Sequence, residues 1–236
     1  MSPSTLYQIV HTLDGNIYHL EEHLSLLFEA YFELHSGCAK LPQEELRRQI
    51  EEVIRDSRCP RGVSLFVKIS ISSEGKVSVE EYERSLYQGY TLRCISPRAA
   101  LVEYNIPHIS LPTHLREQLT QFANSEARKR RGDLALRLSA GEVDLINGAQ
   151  IFALKGELLL TAQLSYSVEH ALAKECALRL GLDLCERPID ASELPHLDEL
   201  FFVDHYGVTA IRNYAERYYM SLTASAIASA LALAVG

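Results

Sequence analysis

The stretch Thr5-Leu-Tyr-Gln-Ile-Val-His-Thr-Leu-Asp-Gly-Asn-Ile-Tyr-His-Leu-Glu-Glu-His-Leu24 decides how the chain is read. Residues 5–11 and 16–20 predict two strands around Asp14-Gly15, the strongest short hairpin signal, because a two-residue turn of this kind needs positive φ at its centre. From residue 21 the apolar period changes. Leu24, Leu27, Phe28, Tyr31 and Phe32 recur at helical spacing, predicting a helix over 21–36 that stops at Gly37. A second amphipathic helix, about 42–57, aligns Leu46, Ile50, Val53 and Ile54 on one stripe.

Working outward, residues 62–72 and 77–82 predict a hairpin around Ser73-Glu-Gly-Lys76, and 89–95 a further strand. Pro107 and Pro112 bracket a loop, because proline interrupts both helix and sheet. This places a domain junction near 105–113, with a small α+β domain over 1–106 and a larger α/β domain over 107–236. In the second domain a helix is predicted over 113–131. Strands follow at about 133–138, 143–146, 149–154 and 157–161. Ser167 to about Leu180 forms a helix closed by Gly181, and short strands lie near 183–188, 199–203 and 208–212. Neither an internal repeat nor a low-complexity segment is present.

Composition excludes several classes. A formal charge of −8 over 236 residues disfavours nucleic acid and anionic membranes as partners. The one basic run, Arg128-Lys-Arg-Arg131, falls at a helix end before Gly132, where the helix dipole favours cations. The five cysteines (Cys38, Cys59, Cys94, Cys176 and Cys185) form no Cys-x-x-Cys pair and fit reduced thiols in a cytoplasmic protein. Export is not expected, since no basic start leads into an apolar region. The Ala/Leu-rich tail from Ser221 to Val235 is shorter than the ~20 apolar residues of a spanning helix, so a terminal helix docked on the body is expected.

The opening stretch is similar to the strand, "DG" turn, strand and "EHL" helix start of class IV aminotransferases. Ser125-Glu-Ala-Arg-Lys-Arg-Arg-Gly132, Gln150-Ile-Phe152, Gly156-Glu-Leu-Leu-Leu-Thr161 and Asp198-Glu-Leu-Phe201 resemble later segments of the same family, in the same order. The resemblance covers most of the chain and begins almost at Met1, so the family's earlier N-terminal strands are expected to be missing. It implies a two-domain α/β fold of the fold-type IV pyridoxal-phosphate (PLP) enzymes, the group of D-amino acid and branched-chain aminotransferases. A cleft between the domains and a homodimer come with that fold.

PLP chemistry needs a lysine amine for the Schiff base, an acid facing the pyridine nitrogen and donors for the phosphate. Counting back from Glu126-Ala127 to the family's lysine position reaches Thr113, and no lysine occurs between Lys76 and Lys129. The pyridine-facing glutamate corresponds to Leu145, read back from Gln150-Ile-Phe152. Strand alternation turns Glu142 and Asp144 to the opposite face from Leu145. The phosphate-binding arginine corresponds to Leu26, and the phosphate loop to Ser167-Val-Glu-His170, where Glu169 would repel a phosphate. The last pair of that cup corresponds to Val203-Asp204. The cofactor expected is therefore none, with PLP as the alternative.

Ordinary loop polarity competes with every functional account of the remaining polar residues. His108 and His114 flank Thr113, and Asp204-His205-Tyr206 lies where the phosphate cup would close. Such a set in a shared cleft could support acid–base work. His19-x-x-x-His23 has helical spacing, but His19 falls on the strand side of the boundary, and no metal is expected. No phosphate-cradling glycine loop, Gly-x-Ser-x-Gly elbow or reactive-cysteine signature is present. The expectation is a class IV aminotransferase-like protein that has lost PLP chemistry and acts as a binding, regulatory or scaffolding homologue, open to a small-molecule ligand. The alternatives are a divergent transaminase or aminodeoxychorismate-lyase-like enzyme using Lys68 or Lys155, and PLP-independent acid–base chemistry on His108, His114 and Asp204.

Overall fold

The structure is a computed structural model that describes residues 5–35, 43–87, 89–105, 108, 111–162 and 167–235. Gly37, Cys38 and Pro107 lie outside them. The chain divides into two compact units. The first takes in Met1–Gly89, His108–Leu115 and Tyr166–Val168, and the second takes in Tyr90–Pro107, Arg116–Ser165 and Glu169–Gly236. Residues 90–105 thus group with the second unit, where chain order had suggested one boundary after residue 106.

In the first unit, β1 (Leu6–Leu13) turns through Asp14 and Gly15 into a two-residue β2 (Asn16–Ile17). Then come α1 (Leu20–His35), α2 (Gln43–Ser57), β3 (Ser64–Ile71) and β4 (Val77–Ser85), in a sheet ordered β2-β1-β3-β4. Leu6 and Val10 of β1, with Leu65, Val67, Ile69 and Ile71 of β3, pack under Leu24, Leu27 and Tyr31 of α1 and Leu46 and Ile50 of α2. This is the amphipathic packing that the spacing predicts. β3 is buried along its whole length. Its other face carries Ser64, Phe66, Lys68 and Ser70, so the small sheet is apolar toward the helices and mixed behind.

In the second unit, β5 (Arg98–Glu103) is followed by α3 (His114–Lys129), β6 (Leu134–Ser139), β7 (Glu142–Ile146), β8 (Ala149–Lys155) and β9 (Leu158–Thr161). Next are α4 (Val168–Arg179), β10 (Asp183–Glu186), β11 (Ile189–Asp190), β12 (Glu199–Asp204), β13 (Gly207–Ala210), β14 (Asn213–Tyr214), β15 (Arg217–Tyr218) and α5 (Leu222–Val235). The sheet runs β10-β9-β8-β7-β6-β5-β14-β15, with β12 against β8 and β13. One face is the main core, built on Leu136, Val143, Ile146, Ile151, Ala153, Leu160, Leu200 and Phe202. On the other, Ala100, Val102 and Ala135 pack against Ala123 and Ala127 of α3.

The strand expected at 89–95 does not form. Thr91 to Arg93 makes only a short backbone exchange with Val208, through Val208 N to the Thr91 carbonyl (2.9 Å) and Arg93 N to the Val208 carbonyl (2.8 Å). The strand lies at 98–103 instead. It begins directly after Pro97, and its two alanines have low strand propensity, with Ala100 against the alanines of α3 and Ala99 in the main core. The tail is a helix, as expected. It lacks a capping side chain of its own, and its end is held by the buried Glu199, whose carboxylate accepts from Thr223 N (2.8 Å) and Ala224 N (3.1 Å).

Gly207 sits at φ +117, and a Cβ there would lie 2.4 Å from the Thr91 carbonyl oxygen. Gly207→Ala is expected to lower stability by about 2–3 kcal/mol, because neither the backbone angle nor the facing carbonyl can adapt cheaply. Urea unfolding monitored by circular dichroism checks this, and a loss below about 1 kcal/mol would show that the 91–93 exchange is not rigid.

Candidate functional site

The second unit holds a concentration of buried polar groups on the α3 side of its sheet. Its origin is a register shift. Leu136 pairs with Ile146 and Leu138 with Val143, so the single residue Arg137 opposes both Asp144 and Leu145. Val143 and Ile146 face the main core, and the two residues between them turn the other way. Strict alternation had put Asp144 and Leu145 on opposite faces, and the bulge corrects this. Leu145 pairs directly with Gln150, which lies between the core-facing Ala149 and Ile151 and therefore points toward α3.

Arg137, 5% exposed, donates from Nη1 to Asp144 Oδ2 at 2.5 Å and from Nε to the Tyr104 carbonyl at 3.2 Å. Tyr104 packs on the alanine layer beneath α3, and burial pushes its phenol up to about 12, against the pull of Arg137. From α3, residues i, i+4 and i+8 meet the β7–β8 turn. Arg116 donates to the Gly148 carbonyl, Thr120 lies against Gly148, and Asn124 donates to Asn147 Oδ1 while accepting from Ala135 N. Asp144 Oδ1 and both amide atoms of Gln150 are buried without a hydrogen-bond partner, whereas the Tyr104 phenol faces the Thr120 hydroxyl at hydrogen-bonding range. Sequence reading missed Tyr104, Thr120 and Arg137. A lone arginine within an apolar strand was the available signal.

Farther along the same face, Phe152 stacks between His170 of α4 (4.7 Å) and Phe201 (5.2 Å). His170 Nε2 lies 2.8 Å from Thr161 Oγ1, and burial drives its ring down to about 3, with Lys174 adding to the effect. Glu169 is buried in the first turn of α4, Ser167 precedes that helix half-buried, and Val203 is buried on β12.

Asp204, His205 and Tyr206 form the β12–β13 turn. Asp204 Oδ1 accepts from Tyr206 N at 2.9 Å, and the Tyr206 ring lies 5.0 Å from the Arg93 guanidinium and 4.1 Å from the His205 ring. Burial pushes the Asp204 carboxyl up to about 6, with Arg93 pulling the other way. In the first unit, Thr113 is buried and bridges Leu6 of β1 through backbone, while His114 opens α3 with its N–H on the Thr5 carbonyl. His108 is exposed in a turn, and Leu26 is half-buried on α1. His23 Nδ1 lies 3.0 Å from Gln8 Oε1 in the interior, and His19 precedes the helix at φ +52. No group of three metal-ligating side chains occurs among the described residues.

Taken one by one, the side chains at the positions that the sequence resemblance assigns to PLP differ in chemistry from the donors the cofactor needs. Thr113 offers a hydroxyl, which forms no imine. Leu145 is fully buried and carries no proton, Leu26 has no charge, and Glu169 brings a carboxylate to the helix end where a phosphate would sit.

No family model matches the chain, and no curated protein matches its sequence. Solved structures do. A branched-chain aminotransferase from Thermoproteus uzoniensis superposes with a TM-score of 0.81 at 21% identity, over 98% of this chain and 85% of that one. The fold is that of the fold-type IV aminotransferases. A hypothetical aminotransferase from Mycobacterium tuberculosis gives 0.80 at 15% identity, over 100% and 90% of the two chains. A protein described as a 4-amino-4-deoxychorismate lyase from Legionella pneumophila gives 0.77 at 10%, over 92% and 85%. The resemblance read from the sequence therefore holds for the fold, and at these identities it holds for the fold alone. No helix among the described residues is long and apolar enough to cross a membrane.

Three buried histidines govern the response to acid. Burial lowers His11 to about 4 and His23 and His170 to about 3. The unfolded chain therefore takes up these protons near 6.5, while the folded chain resists until pH 3–4. Stability falls as pH drops through that window. Asp204 acts oppositely, since the folded chain binds its proton more tightly between about pH 4 and 6. Three groups outweigh one. Acidification from pH 7 to 4 is expected to cost roughly 1–3 kcal/mol per histidine, and His170→Phe should remove one such share while keeping the ring stack. Urea titrations across that range check this, and an unchanged slope in the variant would refute the assignment.

Proposed function

We propose that this chain is a class IV aminotransferase-like protein that has given up Schiff-base chemistry and serves as a binding, regulatory or scaffolding homologue. One observation carries the reading. The lysines of the second unit are Lys129, Lys155 and Lys174. Each is spent on a glutamate at or near the surface, with Lys129 on Glu126 (2.6 Å), Lys155 on Glu193 (3.1 Å) and Lys174 on Glu186 (2.7 Å). An amine engaged by a carboxylate at the surface is not presented to a cofactor carbonyl inside the unit. Lys155 is further tied down because Glu193, held to about 2 by Arg187 and Lys155, is a permanent anion.

The buried amine of the described chain is Lys68, in the first unit, with its Nζ 4.2 Å from the Tyr7 ring centre and 5.2 Å from that of Tyr82. It is the residue on which a divergent PLP enzyme would depend. Incubation with PLP, borohydride reduction and peptide mapping are expected to give only scattered, substoichiometric labelling. A stoichiometric adduct on Lys68, or on any one lysine, would overturn the proposal and make the chain a PLP enzyme. A second reading, acid–base chemistry without a cofactor, is favoured by Asp204, whose carboxyl exchanges its proton near pH 6.

The same reading makes the protein a cytoplasmic homodimer, as its fold and scattered thiols suggest. Such an interface should bury on the order of 1,600 Å² or more. Light scattering at tens of micromolar is expected to report the dimer mass, and monomer alone would count against it.

A further inference from the structure

We infer that the α3 side of the second unit, between β7, β8 and α3, binds a small neutral molecule through an amide-type edge, one N–H beside one C=O. The inference rests on the reading that PLP is not held there. It starts from Gln150, which is 4% exposed and whose Oε1 and Nε2 both lack a partner. Buried side-chain amides are almost always hydrogen-bonded, since leaving them unsatisfied is costly. Here donor and acceptor lie in one plane. Their complement is a second amide edge, which closes two parallel hydrogen bonds.

The surroundings select the charge. Arg137 is already neutralised by Asp144 Oδ2. An anion would meet Asp144 Oδ1, which is buried without a partner, and a cation would meet Arg137 and, at the Gly148 turn, Arg116. A neutral ligand suffers neither, and a second N–H on it would satisfy Asp144 Oδ1. The Tyr104 phenol, neutral at any ordinary pH, and the Thr120 hydroxyl that bonds to it are further polar groups on this side. Leu145 and Phe152, on the same face as Gln150, provide apolar walls for a flat ring. Asp144 keeps 20% of its side-chain exposure, so the group opens toward solvent at that point.

Uracil and 2-pyrrolidinone carry the proposed edge, N-methyl-2-pyrrolidinone lacks its N–H, and orotate adds a carboxylate to uracil. Calorimetry and thermal shift on the full-length protein should show binding of the first two. The third and fourth should bind at least about tenfold more weakly, the loss expected for one missing hydrogen bond or one uncompensated charge. Gln150→Met should weaken uracil about tenfold or more while the protein stays folded, and Tyr104→Phe provides the same readout if Gln150→Met does not fold. Equal binding of the N-methyl compound, no binding of uracil or 2-pyrrolidinone, or a crystal soak showing ordered water alone between Gln150 and Asp144 would overturn the inference. A lysine adduct in the borohydride experiment removes the earlier reading. Failure of the lactams in a protein that forms no adduct removes only this one.

Discussion

Two residues against one, Asp144 and Leu145 opposite Arg137, is the constraint on which the polar half of the larger unit depends. Without the extra residue in β7, alternation would send Asp144 into the α3 side and Leu145 into the main core. With it, both face α3, and Arg137 finds its counter-charge inside the protein. A buried ion pair of this kind adds little net stability, because desolvation offsets most of the attraction. Removing one partner, however, strands a charge, at a cost of about 3–5 kcal/mol. The pair therefore locks the register more than it strengthens the fold.

The lock extends to the neighbouring strand and helix. Gln150 is aimed by its pairing with Leu145, and the Arg116–Thr120–Asn124 stripe of α3 is seated by the turn that joins β7 to β8. Asn124 closes the arrangement by accepting from Ala135 N at 2.8 Å on β6. One helix face is thereby tied to β6 and to the β7–β8 turn by polar contacts, beside an alanine layer that lets it approach closely.

Elements whose burial is one-sided were legible from sequence. The Asp14-Gly15 hairpin, α1, α2, α3 and the run of strands from β6 to β9 follow the spacing of their apolar residues to within a few positions. Strand β5 was not, because Arg98-Ala-Ala-Leu-Val-Glu103 has weak strand propensity and is placed by the alanines of a helix later in the chain. The two-residue strands β11, β14 and β15 were not, since β11 and β14 are fixed by strands distant in sequence and β15 merely turns back on β14. For the candidate site, counting from the segments of a known fold reaches β7, with Asp144 and Leu145, but not the direction in which they face. The partner of Arg137 could not be read off, because its meeting with Asp144 depends on a bulge, and one inserted residue in a strand leaves no mark on hydrophobic alternation.

Glu199 shows how far apart the two ends of a single structural decision can lie. Its carboxylate caps α5 from β12, 24 and 25 residues before the amides it receives. The helix has no acidic residue in its first turn, and the carboxylate is buried on its strand. Neither is satisfied alone. Placing β12 and starting α5 are thus one cooperative event, and the C-terminal helix acquires its end only when the sheet already exists to supply it. A chain still emerging from synthesis, with β12 formed and α5 not yet made, would hold a buried carboxylate awaiting its donors. The last stretch of sequence completes the interior of a strand that was made much earlier.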